Sequence, residues 1–460
     1  MPLPPQVKKL ASYAYRAIPL PYHYGRRYRE IAAFLDDTRG WSEERLQEYQ
    51  LERVKHIVDH AYQNTRFYRE LYDRVGYKPG DISTFEDFQK LPTIDRSDAL
   101  ARGEDFKARD FESYQPKLTY TSGTSGAPLR IYRSRDTELH RRASSWRWRR
   151  IGGTDHYRPT VDFAAGVDIP DDSQMFYWNA RENIWHLNKK LRNRQHITEI
   201  FQAIERIKPA ALTGAPSTIM LIAQLALEAG LPPYTSAAVF TTGELLKRTI
   251  TDKIEMFFGQ TLRDAFGNRE NSLSSYQYEY GGDYFVNAET CRVELLDETG
   301  AVVGPGESGE VCSTSLINEA FPFIRYRTAD IAEDRGVQQV AGFNRRAIKP
   351  LVGRQRDIIL TPDGLMNVNL IHNLGNFDMT LIRNFVIRQY TIDELEVQLC
   401  PAPGFRQGDH EAVFVAEMTR QLPDNMRFVV KYIDELPITN NDKIKFVDSP
   451  LAREYLEKNR

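Results

Sequence analysis

The sequence predicts an α/β fold, in which a large multi-layer N-terminal domain with a β-rich subdomain precedes a small C-terminal α+β domain. At 460 residues the chain is too long for one ordinary domain. Strand-like and helix-like segments alternate from Leu118 to Phe266, which favours a sheet covered by helices. After Cys291, β segments and tight turns follow one another instead. We therefore expect domains at 1–353 and 354–460.

The first residues, 1–110, are predicted to be a helical lead-in to the N-terminal domain. Between Glu43 and Val75, apolar side chains recur at the spacing of one helix face. Ser83 and Glu86 have the spacing of a capping box, which predicts a short helix that ends before Leu91-Pro92.

The alternating region is predicted to supply the main sheet and its helices. Its predicted strands are Leu118–Thr121, Ala211–Thr213, Ala237–Thr241 and Leu262–Phe266, and its predicted helices are Arg135–Ile151, Ile197–Ile207, Ser217–Glu228 and Leu245–Phe258. The β-rich subdomain is predicted from Val293–Leu296, Glu310–Ser313 and residues 335–348. In the C-terminal domain we expect strands at Leu395–Cys400, Ala412–Glu417 and Arg427–Tyr432.

Composition excludes several classes of protein. The formal net charge is -2, and nucleic-acid binding needs a basic excess, so no nucleic-acid partner is expected. No run of about 20 apolar residues predicts a membrane span, and the N-terminus does not read as a signal peptide. Three scattered cysteines, Cys291, Cys312 and Cys400, indicate a reduced, cytoplasmic protein.

One loop rich in glycine, serine and threonine can bind phosphate. It runs from Tyr120 to Pro128, and its glycines allow a close backbone approach while its hydroxyls and amides can surround phosphate oxygens. The alternative is an ordinary polar surface loop. It is not a P-loop, because no Gly-Lys-Ser/Thr ends it.

Two other patterns are set aside. His56 and His60 are one helical turn apart, but no third ligand accompanies them, so we expect a pair on a helix surface. The basic run from Arg141 to Arg150 is expected to pack Trp146 and Trp148 and to leave its arginines in solvent; contact with acceptor phosphates is the alternative.

Six further motifs follow the Tyr120–Pro128 loop along the chain. They are Thr242-Gly243-Glu244, Asp264–Glu270, Gly306–Glu310, Arg325–Asp330, Gly353-Arg354 with Asp357 and Gly364, and Leu436–Lys443. The loop and these six segments, in this order, resemble the acyl-adenylate-forming superfamily of acyl-CoA synthetases, adenylation domains and luciferases. Within it, the resemblance is to the phenylacetate–CoA ligase branch, including relatives found with capsular-polysaccharide genes. The resemblance covers roughly Trp41 to Leu451.

The resemblance implies a role for each matching residue. Glu270 would bind Mg²⁺, which prefers carboxylate oxygen, and Lys443 would contact the attacking carboxylate and the bridging oxygen. Asp330 would bind the ribose hydroxyls, Phe266 would lie on adenine, and Arg354 would reach the ribose or a phosphate. Thr121 is counted as catalytic, and the remaining nucleotide-binding positions are Ser122, Gly123, Thr124, Ser125, Gly126, Gly243, Glu244, Asp264 and Gly267.

Three departures from the family pattern concern neighbours of these residues. Ala329 replaces a glycine, Asn441-Asp442 stands before Lys443 in place of Ser-Gly, and Arg356 stands where many relatives have an acidic hinge residue.

The implied activity is the ATP-dependent activation of a carboxylic acid as its acyl-AMP, followed by transfer to coenzyme A. The active site is expected in the cleft between the two domains, with the C-terminal domain as a mobile lid. The acid pocket is expected around Phe163–Val167, Thr213–Pro216, Phe240–Glu244 and Ala265–Asn268. An amide- or ester-forming ligase with an amine or hydroxyl acceptor is the alternative, and a non-catalytic nucleotide-binding protein is the second. The sequence leaves the acid and the oligomeric state open.

Overall fold

The computed structural model divides the chain into two compact units, each assembled from separate segments. The described residues are 18, 20–120, 129–163, 174–188, 191, 194–246, 248–352, 358–362, 364–367, 377–378, 381–420, 422, 426–434 and 447–458. The first unit takes the described parts of Met1–Pro159, Asn179–Ile184 and Arg263–Leu351. The second takes those of Thr160–Trp178, Trp185–Leu262 and Val352–Arg460. The predicted division at 353/354 stays a prediction.

The elements are numbered in chain order. The helices are α1 (Leu20–His23), α2 (Gly25–Asp37), α3 (Glu43–Asn64), α4 (Arg66–Asp73), α5 (Phe85–Gln89), α6 (Arg96–Arg102), α7 (Arg135–Ile151), α8 (Ile197–Ile207), α9 (Pro216–Glu228), α10 (Arg248–Phe258), α11 (Asp409–Thr419) and α12 (Pro450–Lys458). The strands are β1 (Lys117–Tyr120), β2 (Arg130–Arg133), β3 (Thr160–Asp162), β4 (Phe176–Asn179), β5 (Ile184–Leu187), β6 (Ala211–Gly214), β7 (Ala238–Thr242), β8 (Leu262–Gly267), β9 (Ser274–Tyr276), β10 (Tyr284–Val286), β11 (Cys291–Leu296), β12 (Ser308–Ser315), β13 (Tyr326–Val340), β14 (Phe343–Val352), β15 (Ile358–Thr361), β16 (Gly364–Asn367), β17 (Ile382–Thr391), β18 (Glu394–Pro401), β19 (Arg427–Tyr432) and β20 (Val447–Asp448).

In the first unit, strands follow the spatial order β11-β12-β13-β14-β10-β9-β8, and β1 and β2 form a separate hairpin. The pairs β11–β12, β12–β13, β14–β10, β10–β9 and β9–β8 are antiparallel. Apolar side chains from these strands form one buried cluster that includes Leu295, Val311 and Ile348. Removing such side chains from water is the main favourable contribution to folding.

The helical lead-in packs its apolar face into a second buried cluster of the first unit, which includes Val54, Tyr68 and Phe106. The long predicted helix is divided at Thr65, whose hydroxyl accepts from the backbone N–H of Tyr68 and caps α4. The predicted capping box is wrong by one residue. Thr84 and Asp87 form it instead of Ser83 and Glu86.

A buried ionic cluster in the first unit joins α7 to the β-rich segments. Glu289 is fully buried and accepts from Arg147 at 2.7 Å and from Arg345 at 2.6 Å. Burial alone would raise the pKa of Glu289, but the two guanidinium charges hold that pKa well below its usual value. Trp146 and Trp148 are buried as expected, whereas the expectation that the neighbouring arginines are solvated fails for Arg147. Its charge is buried because Glu289 neutralises it.

In the second unit, strands follow the order β7-β6-β3-β5-β4. Strand β6 runs parallel to both β3 and β7, so their carboxyl ends lie at one edge. The C-terminal part has a four-stranded sheet in the order β19-β18-β17-β20 and a β15–β16 hairpin. The apolar face of that sheet packs with Phe414 and Met418 of α11.

Hydrogen bonds from two charged side chains fix β17 to the helices α9 and α10 of the same unit. Lys253 is buried and donates from Nζ to the main-chain oxygens of Ile382 at 2.6 Å and Arg383 at 3.2 Å. Burial lowers the pKa of Lys253 to about 8. Arg383 donates to both carboxylate oxygens of Glu228, at 3.0 to 3.3 Å.

Most predicted elements are confirmed within one to three residues at each end. The bounds of Arg135–Ile151, Ile197–Ile207 and Arg427–Tyr432 are confirmed as predicted. The predicted strand Ala412–Glu417 is wrong, since these residues belong to helix α11, and β17 was not predicted at all.

Three further expectations concern single features. His56 and His60 lie one turn apart on α3, and both contact Glu319, His56 through a carboxylate oxygen and His60 through the main-chain oxygen. The three cysteines are buried and unpaired. In the described part of the chain, no helix is long and apolar enough to cross a bilayer.

Candidate active site

The turn between β8 and β9 carries the first group of predicted site residues. A Cβ atom at Gly267 would lie 2.8 Å from the main-chain oxygen of Leu273, so only glycine allows this close approach. Asn268 fixes the rest of the turn, because its side-chain oxygen accepts from the backbone N–H groups of Ser272 and Leu273 at 3.1 Å. The turn thereby holds Glu270 in a defined position.

Glu270 is a buried carboxylate with one satisfied oxygen. It is 2% exposed, and its Oε1 accepts a hydrogen bond of 3.1 Å from the hydroxyl of Tyr326. Its Oε2 is buried and has no hydrogen-bond partner among the described residues. A buried carboxylate oxygen without a partner is costly, so its presence points to a ligand that binds there.

The segment before β13 holds Tyr326 in place through a second buried ion pair. Arg325 has a left-handed backbone with φ of 48° and donates to both carboxylate oxygens of Glu294 at 3.2 Å. Its guanidinium also donates to main-chain oxygens of Gln89 and Leu91. Arg325 and Tyr326 belong to a matched motif, but the motif alone indicates no role for either residue.

Asp330 lies in an irregularity between β12 and β13. Cys312 pairs with Arg327 and Glu310 pairs with Ile331, so three residues of β13 face one residue of β12. Glu310 closes this bulge, since its carboxylate accepts from the guanidinium of Arg327 and from the backbone N–H of Ala329 at 3.1 Å. The bulge re-aims the segment Thr328–Asp330 out of the regular ladder. Glu310 therefore holds this segment in place through contacts that the motif alone did not indicate.

We expect Ala329→Gly to stabilise the protein by roughly 1 kcal/mol. Ala329 has a φ of 61°, a left-handed conformation that costs a residue with a Cβ atom about 1–2 kcal/mol. Glycine removes that cost, in part offset by its larger entropy in the unfolded chain. Urea unfolding measures the change. The control is Ala332→Gly, on the same strand but fully buried and without a positive φ, which should lose stability. A loss of stability in both variants would contradict the strain at Ala329.

Asp264 and Phe266 lie on β8 with contacts inside the first unit. The Oδ2 atom of Asp264 accepts from the hydroxyl of Tyr284 at 2.8 Å. Burial and the adjacent carboxylate raise the pKa of Tyr284 well above its usual value. Phe266 is half-buried and packs edge-on against the ring of Tyr284, with centroids 6.0 Å apart. The nucleotide-binding roles of both residues stay predictions.

Gly243 and Glu244 follow β7 in the second unit. Gly243 has a φ of 91°, which favours glycine there. The Glu244 carboxylate accepts from the backbone N–H and the hydroxyl of Ser217, both at 2.9 Å. Since Ala215 gives α9 no side-chain cap, Glu244 satisfies an N–H group at that helix end. This gives Glu244 a structural contact beside its predicted role.

Several predicted site residues lie outside the described residues, and they remain predictions from the motifs alone. They are Thr121, Ser122, Gly123, Thr124, Ser125, Gly126, Arg354 and Lys443.

The donor set around Glu270 fits a magnesium ion. Mg²⁺ usually takes one or two carboxylates, completing its shell with phosphate oxygens and water. The buried Oε2 of Glu270 offers such a carboxylate oxygen. Among the described residues, no group of three or more His, Cys, Asp or Glu side chains could hold a metal ion on its own. A cation here would therefore depend on oxygens of a bound ligand or of water.

Comparison with known proteins gives relatives that are named as coenzyme A ligases and one that is named as an indoleacetate–lysine synthetase. No family model matches the chain. The phenylacetate-coenzyme A ligase of Aromatoleum evansii is 26% identical over 336 residues, which cover 71% of this chain and 74% of that protein. The indoleacetate–lysine synthetase of Pseudomonas savastanoi is 27% identical over 258 residues, or 54% and 61% of the two chains.

The solved structures share the fold. The structure of 2-hydroxyisobutyryl-CoA ligase in the postadenylation state has a TM-score of 0.68 at 17% identity, and the match covers 91% of this chain and 93% of the other. Fold, ordered motifs and relatives together support the resemblance of this chain to the acyl-adenylate-forming superfamily. Within the superfamily, it is similar in sequence to the phenylacetate–CoA ligase branch.

Proposed function

We propose that this protein is an AMP-forming acid–thiol ligase, which activates a carboxylic acid with ATP and transfers the acyl group to coenzyme A. The phenylacetate–CoA ligase relatives support this activity. The observation that carries it in the structure is the unpartnered, buried Oε2 atom of Glu270, which fits a cation bound to a polyphosphate.

In the first step, an oxygen of the acid attacks the α-phosphorus of ATP, the bond to the bridging oxygen breaks, and pyrophosphate leaves. The charge that builds on the phosphates is the main barrier, so positioned cationic groups and dipoles do most of the catalytic work. Mg²⁺ held by Glu270 would neutralise phosphate charge when bound. We assign Lys443 to the bridging oxygen and the attacking carboxylate. The loop from Thr121 to Gly126 is assigned to the phosphates.

The remaining residues are assigned to orient the nucleotide. Asp330, in the bulge that Glu310 closes, would accept hydrogen bonds from the two ribose hydroxyls. Phe266 would cover one face of adenine, and Arg354 would bind the ribose or a phosphate. In the second step, the thiol of coenzyme A attacks the acyl carbon and AMP leaves. Orientation of both reactants lowers the barrier in each step.

The test is AMP and pyrophosphate release from ATP and Mg²⁺ with a pool of aryl and short aliphatic acids. It is run with and without coenzyme A, beside Lys443→Ala, and the products are identified by mass spectrometry. We expect acid-dependent AMP release that coenzyme A increases, an acyl-CoA mass, and loss of both in Lys443→Ala. If no acid supports nucleotide turnover, the activity is wrong and a non-catalytic nucleotide-binding protein becomes the better hypothesis.

An amide-forming ligase is the second candidate, because one relative is named an indoleacetate–lysine synthetase. The adenylation residues would serve both activities equally, since only the acceptor differs. Adding lysine to the same assay separates them. An amide product with no response to coenzyme A would favour the second candidate.

We expect Glu310→Gln to raise the KM for ATP about tenfold with a smaller change in kcat. The substitution weakens charge-assisted hydrogen bonds worth about 1.5–3 kcal/mol, which hold Arg327 and the backbone of Ala329. Loss of that hold would loosen Asp330. Steady-state kinetics with varied ATP measures the effect. Glu307→Gln is the control, because Glu307 belongs to the same turn motif but is exposed. An equal KM in both variants would exclude a positioning role for Glu310.

A further inference from the structure

A partly buried histidine–aspartate pair in the second unit has no part in the function proposed above. The Nδ1 atom of His186 lies 2.9 Å from Oδ2 of Asp162. The hydroxyl of Thr213 donates to Oδ1 of the same carboxylate at 2.9 Å. The side chains of His186 and Asp162 are only 11% and 17% exposed. The His186 ring also stacks on Tyr177, with centroids 6.5 Å apart.

The geometry fixes which nitrogen of His186 carries the proton in the neutral ring. A carboxylate can only accept, so Nδ1 carries the hydrogen and Nε2 keeps its lone pair. Within the described residues, Nε2 has no hydrogen-bond partner. A histidine oriented by a carboxylate, with its second nitrogen open, is the arrangement of a general base.

The pair lies at the edge of the sheet where a ligand is expected. Asp162 ends β3 and pairs in register with Thr213 of the parallel strand β6. The next parallel strand, β7, ends at the same edge and leads into Gly243 and Glu244. Open parallel sheets bind ligands outside the carboxyl ends of their strands. His186 thus lies next to the carboxyl end of β3, in the same sheet as the strand that leads into Gly243 and Glu244.

We propose that His186 is the proton acceptor of the acyl-transfer step, with Asp162 and Thr213 as its positioning residues. The inference rests on the proposed function and adds the fate of the acceptor's proton. As the sulfur of coenzyme A bonds to the acyl carbon, the thiol proton moves to Nε2 of His186. The bond between the acyl carbon and the AMP oxygen breaks, and AMP leaves with the bonding electron pair. His186 then releases its proton to water.

The test measures the two half-reactions separately in the full-length protein. Acid-dependent exchange of pyrophosphate into ATP reports acyl-AMP formation, and single-turnover reaction of enzyme-bound acyl-AMP with coenzyme A reports transfer. We expect His186→Ala to slow transfer about 100-fold or more and to keep exchange within about threefold. Added imidazole should restore part of the transfer rate, because it can fill the space of the missing ring.

Three further variants separate a proton acceptor from a structural histidine. Asp162→Asn should slow transfer, because an amide can donate to Nδ1 and favour the wrong tautomer. Thr213→Val should lower the transfer rate only a few-fold, since it removes one hydrogen bond to Asp162 and keeps the shape of the side chain. The matched control is His410→Ala, a half-exposed histidine of α11 in the same unit, which should leave both half-reactions unchanged.

The outcomes are distinct. Wild-type transfer rates in His186→Ala overturn the inference, and so does an equal loss in both half-reactions that imidazole does not rescue. If the wild type exchanges pyrophosphate but forms no thioester, coenzyme A is the wrong acceptor. The transfer step is then measured with lysine as the acceptor in place of coenzyme A. If His186→Ala transfers the acyl group to lysine at the wild-type rate, the inference is overturned in that case as well. Absence of exchange in the wild type refutes the proposed function and leaves His186 no transfer step to serve.

Discussion

Glu270→Gln is expected to slow acyl-AMP formation about 100-fold or more, while the free energy of unfolding stays equal or rises by about 1 kcal/mol. A bound cation stabilises transferred phosphate charge by several kcal/mol, and a 100-fold loss corresponds to about 2.7 kcal/mol. The glutamine oxygen can still accept from Tyr326. Stability should not fall, because the substitution removes a buried charge whose Oε2 has no partner.

Pyrophosphate exchange at several Mg²⁺ concentrations and urea unfolding measure the two effects of Glu270→Gln. The Mg²⁺ concentration for half-maximal exchange should rise in the variant. Glu298→Gln is the control, since Glu298 is exposed in a turn of the same unit, and both of its values should equal those of the wild type. Exchange at the wild-type rate in Glu270→Gln would remove Glu270 from the metal site. A large loss of stability would give the carboxylate a structural role.

Glu289→Gln is expected to lower the free energy of unfolding by about 3–5 kcal/mol. The substitution leaves Arg147 and Arg345 buried within reach of an uncharged amide, and an unbalanced buried charge costs about this much. Urea unfolding at neutral pH measures the loss. The control is Glu30→Gln, which breaks an ion pair whose glutamate side chain is 45% exposed, and such pairs contribute about 0–1 kcal/mol.

The difference in the free energy of unfolding between the wild type and Glu289→Gln should become smaller in acid. The folded-state pKa of Glu289 lies well below its usual value of 4.5, so its contribution is complete above that value and is lost as the pH falls towards the folded pKa. Unfolding measured from pH 7 down through pH 4 tests the sign. A difference that widens in acid would mean that the charge of Glu289 does not stabilise this cluster.

Local sequence signals predicted the elements that local forces control. Helix Arg135–Ile151 begins after Ser134, whose hydroxyl accepts from the backbone N–H of Thr137, and its bounds could be read from the sequence. The helical structure of Ala412–Glu417 could not be read from the sequence. Its β-branched residues favour a strand, but Phe414 and Met418 stand four residues apart and pack together into the C-terminal core. Tertiary packing of one helix face outweighed intrinsic propensity there.

In the candidate site, too, local motifs indicated some residues, while other contacts arise only from packing. The motif order indicated Glu270 and Asp330, because a ligand made of phosphates and hydroxyls demands particular side chains at particular spacings. The hydroxyl of Tyr326 on Glu270 and the Glu310 carboxylate that closes the bulge were not predicted. These contacts join residues 56 and 19 positions apart, and no local pattern records which strands will be neighbours.

By itself, the sequence determined the class of protein, the α/β architecture and the motif residues, since these depend on composition, periodicity and ordered local signals. Only the tertiary structure decided which of those residues are buried and which contacts hold them. It also decided which side chains outside the motifs contact each other. Asp162 and His186 are 24 positions apart and had no motif, yet strand pairing brings them to 2.9 Å. The buried charges Glu289, Arg147 and Arg345 likewise acquire their partners only when distant segments pack. Burial and long-range pairing are properties of the assembled fold, because each requires a second segment that the local sequence does not specify.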